Sequence, residues 1–300
     1  MKKRYKLIIF LALVVAILWN VYWNQNIMTR TYTYQSSEVP ESFKGYRITQ
    51  LTDLHSVRDA KQGELIYEKV VEMNPDVICI TGDLVDSAYY KIHGLEGETY
   101  TLQLLEKIVK IAPVYMVYGN HEMILLDNPD KNDFKVAIEK LGVKIVNNKI
   151  FTIYSEDGKE CIRLAGIQDP STVYKNFRYA YIKTNGDRVE AMLDTVTVGV
   201  ESKDFVLLLS HRPEYIEMYD QYAFDLVLTG HAHGGQFRLP FVGGLYAPGQ
   251  GFFPKYTKGV YATDDLEMYV GVGVGNSTIP LRIFNPPEID TIILQDELSN

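Results

Sequence analysis

Asp53 and His55 in "TDLH", Asp83 and Asp86 in "GDLVD", Asn120, His121 and Glu122 in "GNHE", His211 in "SHRPE", and His231 and His233 in "GHAH" are the residues able to do chemistry. Carboxylates, an amide oxygen and imidazoles together form the donor set of a borderline divalent cation; Mn, Fe, Zn and Co all accept it, and the donors suffice for two ions. Two cations a few ångström apart need a shared oxygen ligand to damp their repulsion, and a carboxylate such as Asp83 suits that role. In D-x-H and H-x-H, alternate residues leaving a strand point the same way, so each pair can converge on one ion. Glycines before Asp83, Asn120 and His231 let the backbone turn sharply and approach the metals. A hydrogen-bonded polar cluster without metal is the competing reading, and it would leave buried charges uncompensated.

The elements that must position these residues alternate. "YRITQLTDLH", "PDVICITGDLVD", "PVYMVYGNHE", "VKIVNNKIFTIY", "FVLLLSH" and "FDLVLTGHAH" read as strands, several of them continuous apolar runs of the kind buried on both faces. "GELIYEKVVEMN", "TLQLLEKIVKIA", "DFKVAIEKLG", closed by Gly142, and "RPEYIEMYDQYA" have helical apolar spacing. Strand and helix alternating through short loops imply a layered α/β protein whose polar residues gather at one side of a sheet. Five of the six histidines (His55, His121, His211, His231, His233) follow apolar strand runs, and only His93 does not. From Gln236 onward Gly, Tyr, Val and Pro increase, and antiparallel strands are expected.

D-x-H, G-D-x-x-D, G-N-H-[DE], a lone His after an apolar strand, and G-H-x-H, in this order from Asp53 to His233, resemble the calcineurin-like metallophosphoesterase superfamily. "GHAHGGQFRLP", "GLYAPGQGFFPKY" and "LRIFNPPEI" are similar to its membrane-associated bacterial subgroup described as YkuE-like. The resemblance implies a four-layer α/β/β/α sandwich of two mixed sheets flanked by helices. It implies one divalent ion on Asp53, His55, Asp83 and His233 and a second on Asp83, Asn120, His211 and His231. His121 would be a non-ligand acid near the leaving group, oriented by Asp86. The implied activity is hydrolysis of phosphomonoesters or phosphodiesters by a hydroxide bridging the ions; a non-catalytic, membrane-tethered scaffold of the same fold is the alternative. Ser87 stands where the protein-phosphatase branch has Arg-Gly, which disfavours that branch.

The chain has 300 residues, 46% of them hydrophobic, and two cysteines in strand-like runs, so a full core without disulfide staples is expected. A net charge of −8 without a Lys/Arg cluster beyond the first six residues argues against a nucleic-acid surface. Lys2, Lys3, Arg4 and Lys6 precede an apolar run from Leu7 to Trp23 that lacks an Ala-x-Ala cleavage site. At about 1.5 Å per residue this run is near the lower limit for crossing a bilayer. It reads as an uncleaved single-pass anchor, with a cleaved or peripheral segment as the alternative. The basic flank then stays cytoplasmic and the domain lies outside the cell membrane. Residues 1–28 are expected to be flank and anchor, 29–43 a tether, and 44–300 one domain, acting as a monomer on a phosphoester substrate.

Arg212 is expected either to meet a substrate phosphate or to pair with Glu214 or another carboxylate. Glu122 reads as a partner that supports the ligands. "YVGVGVGN" lacks the nucleotide-binding pattern and reads as strand and turn. Phe241, Leu245, Phe252, Phe253 and Tyr256 would either meet acyl chains of a lipid-linked or membrane-proximal substrate or pack beneath a C-terminal sheet. His93 reads as a surface residue on a loop near the site. Asn276-Ser277-Thr278 fits a glycosylation sequon.

Overall fold

The computed structural model describes residues 2–126, 133–171, 184–276 and 281–296; Ser277 and Thr278 of the sequon lie outside them. The first sheet contains β1 (Met28–Gln35), β2 (Arg47–Leu51), β3 (Val77–Ile80), β4 (Val114–Met116) and β5 (Lys144–Ile145). The second begins with β6 (Lys149–Tyr154), β7 (Cys161–Gly166), β8 (Val206–Leu209) and β9 (Leu226–Thr229). Two small antiparallel hairpins follow, β10 (Arg238–Leu239) with β11 (Gly243–Gly244) and β12 (Tyr246–Ala247) with β13 (Gly251–Phe252). The chain then completes the second sheet with β14 (Gly259–Ala262) and β15 (Glu267–Val270), and the first with β16 (Glu288–Gln295). The orders are β1-β16-β2-β3-β4-β5 and β14-β15-β9-β8-β7-β6. Both sheets are mixed: β2 to β5 run parallel while β16 is antiparallel to β2, and β7, β8, β9 and β15 run parallel between antiparallel edges.

Strand alternation builds the layers. Ile48, Val77, Cys79 and Tyr115 of the first sheet face Leu207, Leu209, Leu226 and Leu228 of the second in a core between the sheets. Ile78, Ile80 and Met116 point the other way. They pack on Ile66 and Val70 of α2 (Ala60–Met73), Leu104 and Leu105 of α4 (Thr99–Ile108), and Phe134 and Ile138 of α6 (Asp133–Leu141). On the far side, Val206, Leu208 and Val227 pack on Val189, Met192 and Leu193 of α7 (Asn185–Val196) and Ile216 of α8 (Ile216–Tyr219). The result is the expected sandwich of two mixed sheets with helices outside.

Several expectations need correction. Residues 29–43 are not a tether: β1 pairs with β16 over its whole length, and Phe43 is buried. Their polar composition hid an edge strand in which "TYTY" alternates, with Tyr34 buried. "VKIVNNKIFTIY" is two strands in different sheets, because Asn148 adopts a left-handed conformation (φ 52°) between them. His93 lies on helix α3 (Ser87–Gly97), broken at Gly94, not on a loop. "RPEYIEMYDQYA" forms a 3-10 turn and the short α8. At the start, α1 (Lys2–Asn24) exposes Leu7, Ile8, Ile9, Phe10, Val15, Ile17 and Leu18 among other apolar side chains. Among the described residues no helix is long and apolar enough to cross a membrane, so the expected spanning anchor is not supported. Asn20 and Asn24 of α1 donate to the Arg282 carbonyl at 2.9 and 3.0 Å, tying its end to the domain.

Leu207 lies between the sheets at full burial. Leu207→Ala should lower unfolding free energy by about 2–5 kcal/mol, read from a denaturant titration; a loss below about 1 kcal/mol would show that this layer collapses around the cavity.

Candidate metal centre

The residues singled out in the sequence stand beyond the C-terminal ends of parallel strands: Asp53 and His55 after β2, Asp83 after β3, Asn120 after β4, His211 after β8, and His231 and His233 after β9. This is where an α/β sheet opens a crevice. Two sheets contribute to the crevice. Asp53, His55 and His233 bring ligand atoms together in one group, and Asp83, His211 and His231 do so in another. A third grouping of His55, Asp83 and His121 lies between them.

Asp83 joins the groups. Its Oδ1 accepts the His121 backbone N–H at 2.8 Å, which leaves Oδ2 facing His211 Nε2 at 3.2 Å and His55 Nε2 at 3.8 Å. Asp53 divides its oxygens similarly: Oδ2 accepts from the Thr52 hydroxyl and the His231 N–H, while Oδ1 faces His233 Nε2 at 3.3 Å and His55 Nε2 at 4.0 Å. The His211 Nδ1 lies 2.7 Å from the Thr81 carbonyl. Only a protonated Nδ1 can bond to that carbonyl, and this tautomer presents Nε2 as a ligand. Asp53 Oδ1, Asn120 Oδ1, His211 Nε2, His231 Nε2 and His233 Nδ1 are buried without hydrogen-bond partners. Buried polar atoms are normally satisfied, so this set of orphans fits cations on both groups.

The local backbone explains the convergence. Asp53, His55, Asp83, His231 and His233 all have positive φ, between 46° and 63°. Such conformations cost about 1–2 kcal/mol per residue and concentrate at functional sites. They also correct the spacing argument. His231 and His233 do not converge on one group, because their left-handed backbone breaks the alternation of an extended strand. Glycine permits the close approach: a Cβ on Gly119 would collide with the Asp83 carboxylate, and one on Gly230 with Thr52 and Asp53. Glu122 supports the ligands as expected, its buried carboxylate accepting the N–H groups of Asp83, Gly119 and Val85 at 2.9, 2.9 and 3.1 Å.

The electrostatics follow from this geometry. Burial would raise Asp83, but the adjoining His211 outweighs burial and holds the carboxyl well below its usual range. Burial likewise opposes charge on His211, yet Asp83 raises it to about 10. Burial pushes Asp53 up to about 6 and His55 down to about 4. Glu122 is pushed up to about 8 by the same desolvation.

His121 is placed differently. Its ring is partly exposed and packs edge-on to His55 with centroids 4.6 Å apart. Nδ1 accepts the Ser87 N–H at 2.9 Å, whereas Asp86 Oδ1 lies 3.9 Å away, beyond hydrogen-bonding distance. Asp86 therefore does not orient the imidazole directly. It caps α3 through the N–H groups of Ala88 and Tyr89, and pairs with Arg58 at 3.2 Å. Capping fixes the first turn of α3, whose Ser87 N–H holds the ring.

Arg212 takes the pairing alternative. Its Nε and Nη2 meet Asp169 at 2.6 and 3.3 Å, Nη2 donates to Ser171 and Nη1 to Glu214. Asp169 was missed in the sequence, although "LAGIQD" has the pattern of an apolar strand followed by a polar residue that marked the other stretches. Arg58, whose guanidinium lies 3.7 Å over the Tyr89 ring, was also missed, because an arginine just before a helix has no distinctive spacing.

Asp169 is buried, so removing its partner leaves an uncompensated charge. Arg212→Met should cost about 3–5 kcal/mol in denaturant unfolding, and adding Asp169→Leu should restore most of the loss. An unchanged stability for Arg212→Met would show that the guanidinium is free to serve a substrate.

The calcineurin-like phosphoesterase model matches residues 46–235, about two thirds of the chain. The chain is 29% identical over 286 residues to the uncharacterized metallophosphoesterase YkuE of Bacillus subtilis, covering 90% of this chain and 86% of that protein. It is 26% identical over 278 residues to the phosphodiesterase YaeI of Escherichia coli, covering 91% and 88%. The fold is similar to a dimetal phosphatase from Danio rerio at TM-score 0.53 and 10% identity, covering 84% of this chain and 93% of that one. With the motifs assembled around paired metal-ligating groups, these likenesses agree: the chain belongs to the calcineurin-like phosphoesterase family, in its YkuE-like bacterial branch, and is a phosphoric ester hydrolase.

Proposed function

We propose that this hydrolase is dinuclear, with one divalent ion held by Asp53, His55, Asp83 and His233 and a second by Asp83, Asn120, His211 and His231. The observation carrying this reading is the placement of Asp83 Oδ2, 3.8 Å from His55 Nε2 of one ligand group and 3.2 Å from His211 Nε2 of the other. When bound, Mn, Fe, Zn or Co ions supply positive charge that steadies the phosphoryl oxygens and makes water acidic enough to attack near neutral pH. The chain's residues do the remaining work. Thr52 and the His231 N–H hold Asp53 so that one oxygen faces the ligands, and the Thr81 carbonyl fixes the His211 tautomer. His121, outside both ligand sets, delivers its Nε2 proton to the leaving oxygen as the P–O bond breaks. Ser87 holds the other ring nitrogen. No phosphoenzyme is required, so the chain needs no side-chain nucleophile.

We further propose that α1 holds the domain against the outer face of the cell membrane through its exposed apolar side chains, without crossing it. Support comes from the exposed apolar surface of α1 and from the exposed side chains of Phe241, in the turn of the first hairpin, and of Phe252 and Phe253, at the end of the second. Tyr256 is buried and Leu245 half-buried, so those two serve packing. A lipid-linked or membrane-proximal phosphoester fits this surface. YaeI is a phosphodiesterase by name, which places diesters beside monoesters in the substrate range to be tried.

His121→Asn should leave metal content nearly unchanged and lower turnover of an alkyl phosphate by about two to four orders of magnitude. The loss should shrink for 4-nitrophenyl phosphate, whose leaving group needs little protonation. Release of metal by this variant would make His121 a ligand; unchanged turnover on both substrates would favour a metal-binding scaffold. For topology, protease added to intact cells should cleave the domain. Cleavage that requires lysis would invert the proposed orientation.

A further inference from the structure

A cavity of about 740 Å³ lies between the end of α1 and the start of α2 and reaches the metal centre. Asn20 and Asn24 line it at one end, and His55 and Asp86 also line it. His121 is not among its lining residues but packs edge-on against His55, which is, so the proton donor stands beside the cavity.

The charges of the cavity wall are unbalanced. Arg58, Lys61 and Arg282 line it, against the carboxylates of Asp59 and Asp86. Both carboxylates already have partners: Asp59 caps α2 by accepting the Gln62 N–H at 2.8 Å, and Asp86 caps α3 and pairs with Arg58. Lys61 is exposed on the first turn of α2 and forms no ion pair among the described residues, and this turn carries the positive end of a 14-residue helix. Arg282 is 1% exposed, and its Nη1 has no hydrogen-bond partner although Nε and Nη2 donate to carbonyls of residues 272 and 275. The guanidinium of Arg58 sits 3.7 Å over the Tyr89 ring and donates through Nη2 to Asp86, two contacts that restrain its direction before any ligand arrives.

We infer that this cavity seats the leaving portion of the substrate, and that Arg58 and Lys61 bind a second phosphate group carried on it. The substrate class is a phosphoester whose alcohol bears another phosphate. The inference rests on the phosphoesterase reading of the metal centre, and Arg58 and Lys61 act on specificity, not on bond cleavage. A planar guanidinium and a flexible ammonium are together suited to a phosphate whose position varies with its linker.

Calorimetry on the manganese-loaded full chain carrying His121→Asn separates binding from turnover. The probes are the monophosphate and the bisphosphate of 1,3-propanediol. The bisphosphate should bind about tenfold tighter or more, the usual worth of one charge-assisted contact. Lys61→Gln should reduce that preference, and Arg58→Gln with Lys61→Gln should bring it to about twofold, the statistical factor for two equivalent ends. Lys203→Gln, on a distant exposed loop, should leave it intact. Equal affinity in the parent protein, or a preference that survives loss of both cations, would overturn the inference. Phosphate release is measured separately on the protein with His121 intact. Absence of release from every ester tried would sink the phosphoesterase reading, and the calorimetric comparison would still decide the subsite.

Discussion

The structure depends on one electrostatic constraint: Asp53, Asp83, His55, His211, His231 and His233 are all buried within two touching groups, and the pairs they form, such as His55 with His233 and His211 with Asp83, still leave Asp53 Oδ1 and His231 Nε2 without hydrogen-bond partners. Without cations, His211 carries the compensating charge beside Asp83, and Asp53 is pushed toward its neutral form by burial. His231 and His233 are held well below the usual histidine range, by burial first and by the neighbouring cations and imidazoles next. Neutral imidazoles and ionised carboxylates are the forms that bind metal, so burial prepares His55, His231 and His233 as ligands, whereas Asp53 and His211 must give up their protons as a cation takes over the compensating charge.

That constraint shapes the backbone around it. Five ligand residues sit in the left-handed region, and each is locked by its surroundings. The Asp53 N–H donates to the Gly82 carbonyl and the His55 N–H to the Asp83 carbonyl, so the loops after β2 and β3 are laced together. Glu122 bridges the loop after β3 to the turn entering α5 (Asn120–Leu126). The Asn285 side chain donates to the His233 carbonyl at 2.7 Å, and the Gly275 N–H donates to the Asp53 carbonyl at 2.7 Å. Both sheets and the segment between β15 and β16 thus hold the centre, although its ligands come from loops. The ligand geometry is a property of the whole sandwich, which is why the chain spends conformational strain there.

The sequence made the centre legible because its ligand residues follow apolar strands in short stretches, and strand ends are where a sheet exposes polar groups. Asp53, His55, Asp83, His211, His231 and His233 are found together as the motifs imply, and the alternating apolar runs locate most of the strands. Details controlled by left-handed residues were not legible. Asn148 divides one apparent strand between two sheets, and spacing alone sends His231 and His233 to one ion, whereas the family resemblance, like the structure, puts them in separate groups. Neither outcome has a periodic signature. The roles of Asp86 and Arg212 turned on partners far along the chain: Arg58 is 28 residues from Asp86, and Asp169 is 43 from Arg212. β1 was missed for another reason. An edge strand buries only one face, so its composition resembles that of a linker.

The central claim is that two cations share Asp83. Elemental analysis of the purified full chain, after loading with excess manganese and removal of free metal, tests it most directly. The account predicts two ions per chain, with Asp83→Asn weakening both because each loses the shared carboxylate charge. Saturation at one ion per chain, or an Asp83→Asn chain that retains two ions with undiminished affinity, would contradict it.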